Sequence, residues 1–181
     1  METDLPRIES RFLTIMFAGQ AMEIQFSPNG SLTAGSERRA RRAMRIVRSA
    51  FKRLKYREIR DHDEGITVQI LHADDVSIQH MVATVDQKLG YLAQEFLTTK
   101  MVEEILGITS RERTRWSKDG RLPNSGRASF KRGQNRVSLF TYSPVAIADL
   151  TKHPELIANW REMDAMGVDS GANLNRAEVP E

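Results

Sequence analysis

The chain has 181 residues, 40% of them hydrophobic, and a formal net charge of +3 with no cysteine. This length and composition predict one or two small packed domains and exclude disulfides, thiolate metal sites and cysteine nucleophiles. No run of about 18 apolar residues occurs, and the acidic N-terminal segment makes a poor signal peptide, so we expect no membrane span.

Most of the basic residues fall in two windows. Residues 36–57 hold ten Lys and Arg against one acid, and residues 98–141 hold ten against four. The remainder of the chain carries 7 basic and 19 acidic residues. Such segregation is typical of a surface that binds a polyanion, although one window alone could equally be a solvated helix face.

Residues 1–73 predict a small α+β unit with the order β-β-α-β. Residues 11–18 and 21–26 are rich in β-branched and aromatic side chains and flank Gly19-Gln20, which favours a hairpin. A loop at residues 27–35 leads into a helix. After a turn at 61–65, the alternation of residues 66–71 predicts a half-buried strand.

The predicted helix at residues 36–57 has an apolar stripe on one side and basic residues on the other. The basic side could be a second nucleic-acid contact, or simply the solvated face of a helix that covers a sheet. Arginine-rich helices also bind RNA or acidic proteins, which leaves a protein partner open for this unit. The candidate contact residues are Arg38, Arg41, Arg42, Arg45 and Arg48.

A linking helix is predicted over residues 74–97. Its apolar residues follow steps of four, three, four and three, the spacing of a heptad seam. Because proteins that bind paired DNA half-sites commonly dimerise, we expect a homodimer through this seam, with packing inside one chain as the alternative. The seam residues are Ile78, Val82, Val85, Leu89 and Leu92.

The region of residues 98–166 predicts a separate domain. Its first 26 residues, TTKMVEEILGITSRERTRWSKDGRLP, predict two short helices joined by a tight turn at Gly107. The second helix, residues 109–118, is crowded with Arg and Lys. A basic hairpin and two further helices follow, the first of them opened by Ser143-Pro144. Residues 167–181 predict a disordered tail.

This order of helices, turn and hairpin over residues 96–150 resembles the winged helix-turn-helix of the MerR and excisionase type. Recombination directionality factors of phages and integrative elements, and the DNA-binding end of small terminase subunits, share that pattern. Arg113 departs from it, since these helices usually carry an aliphatic residue there. The matching positions are Thr98 or Thr99, Met101, Val102, Leu106, Gly107, Ile108, Thr109, Trp116, Gly120, Leu122, Pro123, Phe140 and Tyr142.

The resemblance implies a sequence-specific protein that binds double-stranded DNA with helix 109–118 and a basic wing. Such a protein would be a transcriptional regulator or an excisionase-like recombination factor of a phage, plasmid or integrative element, cytoplasmic and associated with the nucleoid. Trp116 and Tyr142 are expected in the core. The expected DNA contacts are Ser110, Arg111, Arg113, Thr114, Arg115, Lys118, Arg121, Arg127, Lys131, Arg132 and Arg136.

Two other functions fit the same pattern. One is a small-terminase-like or nucleoid-type adaptor that grips DNA with little sequence preference. The other is a protein-binding inhibitor whose winged helix regulates its own gene. No glycine-rich phosphate loop, nucleophile elbow or HExxH pattern occurs, so we expect no enzyme, and no metal or cofactor.

Overall fold

The computed structural model describes residues 8–18, 21–54, 58–62, 65–71 and 75–167. The chain divides into two units, here called unit 1 (Met1–Thr33 and Glu37–Gln94) and unit 2 (Ala34–Ser36 and Glu95–Glu181). Each combines helices with an antiparallel sheet, which confirms the α+β class. Within the described ranges, no helix has both the length and the apolar character needed to cross a bilayer.

Unit 1 contains a four-stranded antiparallel sheet. Its strands are β1 (Thr14–Ala18), β2 (Ala21–Phe26), β3 (Glu58–His62) and β4 (Gly65–Leu71), in the order β1-β2-β4-β3. Pairing of β1 with β2 confirms the predicted hairpin, while its turn at Gly19-Gln20 lies outside the described residues. Alternate residues of β2 and β4 are buried, so one face of the sheet forms the floor of a core.

The described residues of unit 1 also form three helices: α1 (Gly30–Thr33), α2 (Glu37–Phe51) and α3 (Asp75–Gln94). The apolar stripe of α2 is buried through Ala43, Val47 and Phe51, as its spacing predicted. These side chains share one hydrophobic cluster with β2, β4 and α3. The helices therefore cover one face of the sheet and leave the outer face of α2 to solvent.

The predicted order β-β-α-β is incomplete, because the structure adds strand β3 and the short helix α1. Most of the segment Glu58–His62 is charged and only Ile59 is apolar, so it gave no strand signal. Charged residues are common on strands at the edge of a sheet, where they discourage pairing with other chains. Of the predicted turn at 61–65, residues 61 and 62 belong to β3 and residue 65 to β4, and residues 63–64 lie outside the described ranges.

The predicted linking helix is wrong as a separate element, since α3 belongs to unit 1. The five predicted dimerisation residues are at most 3% exposed and lie in the hydrophobic core of this unit: Ile78, Val82, Val85, Leu89 and Leu92. Their heptad spacing thus reflects packing inside one chain, and none of them is on the surface to form a dimer seam. The alternative given by the sequence is the one that the structure supports.

Unit 2 contains four helices and a hairpin within its described residues. The helices are α4 (Thr99–Leu106), α5 (Ser110–Lys118), α6 (Pro144–Thr151) and α7 (Pro154–Ala165). The hairpin pairs β5 (Arg127–Arg132) with β6 (Asn135–Phe140). Ser143 caps α6 with Pro144 in its first turn, as predicted. Of the predicted tail at 167–181, only residue 167 is described.

Candidate nucleic-acid interface

The α4–α5 pair in unit 2 is joined by a tightly capped turn. The Thr98 hydroxyl accepts a hydrogen bond from the first turn of α4, and Gly107 ends that helix with φ of 60°. At the start of α5, Thr109 accepts from the Glu112 amide at 3.2 Å, and the Glu112 carboxylate accepts from the Thr109 amide at 2.6 Å. This reciprocal capping box satisfies two free amide groups and fixes where α5 begins.

Beneath the pair lies the hydrophobic core of unit 2. Trp116 and Tyr142 are fully buried, which confirms that both are core residues. Trp116 meets Trp160 of α7 edge-on, with ring centroids 5.1 Å apart. The Tyr142 hydroxyl lies 2.8 Å from that of Ser117, so its polar end is satisfied inside. Burial of one side of α5 leaves its opposite side to face outward.

Arg113, predicted as a DNA contact, points inward instead. Its Nε donates to Glu103 at 2.8 Å, and its Nη1 donates to the Tyr142 hydroxyl at 3.2 Å. Ser110 also donates to Glu103, at 2.8 Å. Although partial burial opposes ionisation of Glu103, the hydrogen bonds from Arg113 and Ser110 hold the pKa of this carboxyl below its ordinary value. Arg113 therefore ties α5 to α4.

Arg121, predicted as a phosphate contact, has only 11% of its side chain exposed, and its donors are engaged within unit 2. Its guanidinium forms ion pairs with Asp119 at 2.6 Å and Asp164 at 2.8 Å. Asp164 also accepts from Trp116 Nε1 at 3.0 Å and pairs with Arg115 at 2.9 Å. Despite some burial, the bonds from Arg121 and Trp116 hold the Asp164 pKa below its ordinary value.

Arg161 of α7 is a residue that the sequence did not single out. It donates to Glu112 at 2.7 Å and to the Gly107 carbonyl at 2.8 Å, so it joins both sides of the turn between α4 and α5. The bond from Arg161 is the main reason that the Glu112 pKa lies below its ordinary value. Arg161 and Asp164 lie three residues apart on α7, a spacing that places them on one helix face and is a sequence signal that both could contact the same helix, here α5.

The exposed face of α5, called here the α5 face, keeps the remaining predicted contacts. Arg111, Arg115 and Lys118 are exposed at positions i, i+4 and i+7, so they align along the helix. Ser110 is exposed beside them, and Thr114 is half-buried with its hydroxyl bonded to the Ser110 carbonyl at 2.7 Å. The α5 face thus presents three cations, of which Arg115 is ion-paired.

The β5–β6 hairpin carries the predicted wing residues. Arg132 pairs with Asn135 around a two-residue loop, where Gly133 has φ of 63°, as the first central position of a type II′ turn requires. Arg127 is exposed and lies over the Phe140 ring at 4.6 Å, and Lys131 is exposed near the tip. The side chains of Arg132 and Arg136 lie outside what the structure describes.

In unit 1, the predicted second contact lies on the outer face of α2. Arg38, Arg41, Arg42 and Arg45 are exposed, and the Arg48 side chain is 43% exposed. Arg39 belongs to the same basic window but is buried. It donates to the carbonyl of Leu32 at 3.1 Å and also to that of Leu92. Arg39 therefore has a structural role.

The α5 face, the hairpin and the outer face of α2 are the three basic surfaces that the described residues form. In unit 2, two of the predicted arginines, Arg113 and Arg121, instead hold α5 against its neighbours. No protein-family model, no curated protein and no solved structure matches this chain.

Proposed function

We propose that unit 2 is a winged helix-turn-helix domain that binds double-stranded DNA, with α5 in the major groove and the β5–β6 hairpin as its wing. The observation that carries this proposal is the α5 face, where Arg111, Arg115 and Lys118 align. The one acidic residue of α5, Glu112, is held by Arg161. Nothing within α5 itself therefore opposes the approach of a phosphate backbone.

The geometry of α5 suits a groove. A helix with its side chains is about 10–12 Å across, close to the width of the major groove of B-DNA, about 12 Å. Arg111 lies in the first turn, where a recognition helix contacts base edges, and its guanidinium matches the two acceptors of guanine. Lys118 at the other end suits a phosphate, as does the exposed pair Arg127 and Lys131 on the hairpin.

The internal bonds of unit 2 support the same proposal. Arg113 joins α5 to Glu103 of α4, and Arg161 joins the turn between these helices to α7. Because Arg113 and Arg161 form these bonds, the orientation of the α5 face is fixed before any ligand binds. A site that is held rigid loses less conformational entropy on binding, which increases affinity.

Selection of genomic DNA fragments by the full-length protein tests this function. The variant Arg111→Gln with Lys118→Gln removes two cations of the α5 face that have no ion pair among the described residues. Lys152→Gln is the control, because Lys152 is an exposed lysine of unit 2 outside α4, α5 and the hairpin. We expect sharp sites with the wild type and with the control, and their loss in the double variant.

Other outcomes separate the alternatives. Sites beside promoters would indicate a regulator, and repeated sites at the end of an integrated element would indicate a recombination factor. Inverted half-sites about 10 base pairs apart would indicate a dimer, formed through residues other than the buried seam. Diffuse binding that survives the double variant would favour a structural adaptor, and the absence of any binding would overturn the proposal.

A further inference from the structure

The outer face of α2 carries a straight line of cations, called here the cationic stripe. Successive members are three, four, three and four residues apart, so at about 100° per residue they fall within a sector of about 80°. With a rise of about 1.5 Å per residue, the line is about 21 Å long. The cationic stripe comprises Arg38, Arg41, Arg45, Arg48 and Lys52, the last directly after the helix.

Few acids oppose this stripe among the described residues. Arg41 pairs with Glu37 at 2.8 Å and Arg48 pairs with Asp61 at 2.7 Å, and both pairs are solvent-exposed. Exposed pairs of this kind contribute little and exchange readily for another anion. The cationic stripe therefore keeps a net positive charge along its length.

A groove of about 530 Å³ runs beside the middle of the stripe. Arg41, Arg45 and Arg48 line it, together with the small apolar surface of Ala40 and Met44, and none of the described residues that line it is acidic. The volume falls within the range of ligand clefts, about 300–1,000 Å³. A phosphodiester group with its sugar can lie there between guanidinium groups, which bind phosphate through two parallel hydrogen bonds.

The burial of α2 helps to choose between polyanions. Its apolar side is already packed in the core through Ala43, Val47 and Phe51, so no apolar face is left to enter a lipid surface. The described residues that line the groove also include none of the aromatic anchors that dominate protein interfaces. A long, straight and arginine-rich line instead matches a regularly charged backbone.

We infer that unit 1 binds the phosphate backbone of duplex DNA along the cationic stripe, as a second contact that is independent of base sequence. This inference rests on the proposed function only for the identity of the polymer. The stripe lies on α2 of unit 1 and the α5 face on unit 2, so each can be removed without changing the other.

The test is a salt titration of binding to a random-sequence duplex of about four helical turns, using the full-length protein. The stripe variant is R38Q/R41Q/R45Q, and the matched control R11Q/R60Q/K88Q removes three exposed cations of unit 1 that lie outside the stripe. Glutamine retains helix propensity close to that of arginine. A third variant, R38K/R41K/R45K, keeps the charge, and R111Q/K118Q reports on the α5 face in parallel.

For the stripe variant we expect the slope of log affinity against log salt to become shallower by about 2–3, because each lost phosphate contact reduces it by about 0.9. We also expect a loss of affinity of about tenfold or more. The control should keep most of the slope, as should the lysine variant. Equal losses in the stripe variant and the control would overturn the inference, because only net charge would then matter. So would an unchanged slope in the stripe variant.

Two further outcomes are distinct. If R111Q/K118Q loses binding while the stripe variant does not, the proposed function stands and this inference fails; the reverse result supports this inference alone. If the stripe variant instead loses binding only to vesicles that contain phosphatidylserine, the partner is a membrane and the inference is overturned.

Discussion

The guanidinium of Arg113 lies 2.8 Å from the carboxylate of Glu103, and the two side chains are only 13% and 21% exposed. This ion pair joins α5 to α4. The Tyr142 hydroxyl accepts a further bond from Arg113 at 3.2 Å. A polar network thus links the two helices.

Removing one partner of this network should destabilise unit 2. We expect Arg113→Ala to lower the free energy of unfolding by about 2–4 kcal/mol, since it leaves Glu103 partly buried without its cation. Urea denaturation followed by tryptophan fluorescence measures this change selectively, because both tryptophans of the chain, Trp116 and Trp160, belong to unit 2.

The double variant Arg113→Leu with Glu103→Leu is the companion experiment. It removes both charges together, and such replacements are often neutral or stabilising. We expect its stability to lie within about 1 kcal/mol of the wild type and well above that of Arg113→Ala. If the double variant were as unstable as the single one, the ion pair would not be the source of the loss.

Much of the fold could be predicted from local signals. The Ser143-Pro144 start of α6 and the apolar stripe of α2 follow from residue type and spacing, and the structure confirms both. These features depend on neighbours within a turn or two of the chain. Strand β3 was missed because its charged residues carry no strand pattern.

The side-chain partners of the basic residues could not be predicted in the same way. Arg111, Arg113 and Arg121 look alike in sequence. Their roles differ because Arg113 bonds to Glu103, 10 residues away, and Arg121 bonds to Asp164, 43 residues away. The heptad spacing of α3 likewise shows that one face is buried, without showing whether the same chain or a second copy covers it. Only the three-dimensional arrangement separates these cases.

Lys118 and Arg121 lie three residues apart and should respond oppositely to substitution. Lys118 is exposed on the α5 face, so Lys118→Gln should weaken DNA binding and lower the salt slope by about 0.9 while leaving the unfolding midpoint unchanged. Arg121 is held by Asp119 and Asp164, so Arg121→Gln should lower stability by about 1–3 kcal/mol. Anisotropy titrations and urea denaturation of both variants check this separation. A fall in DNA affinity for a fully folded Arg121→Gln protein would contradict it.

Unit 2 should lose stability in acid. The pKa values of Glu103, Glu112 and Asp164 lie below their ordinary values of 4.5, 4.5 and 3.8. At a pH between the pKa of each carboxyl in the folded chain and its ordinary pKa, the unfolded chain binds more protons than the folded chain. The free energy of unfolding therefore rises with pH over this range. The stability that these three carboxylates contribute is complete above about pH 5, and it is lost as the pH falls through their pKa values in the folded chain.

The urea midpoint of tryptophan fluorescence between about pH 3 and about pH 7 measures this dependence. Glu112→Gln removes one of the three carboxyls, so its midpoint should start lower at neutral pH and fall less steeply in acid. A flat midpoint down to about pH 3 in the wild type would show that these carboxyls are not coupled to folding.

Arg39 should be essential to unit 1, although it lies among surface arginines in the sequence. Its side chain is 2% exposed and donates to the carbonyls of Leu32 at the end of α1 and Leu92 near the end of α3. Arg39→Met keeps the length and apolar stem but leaves these buried carbonyls without their donor. We expect the free energy of unfolding to fall by about 2–4 kcal/mol, measured by urea denaturation and far-ultraviolet circular dichroism.

The neighbouring variant Arg38→Met is the control and should change stability by less than about 0.5 kcal/mol, because Arg38 is exposed. Equal stability of the two variants would mean that the buried guanidinium contributes no more than a methionine of similar size.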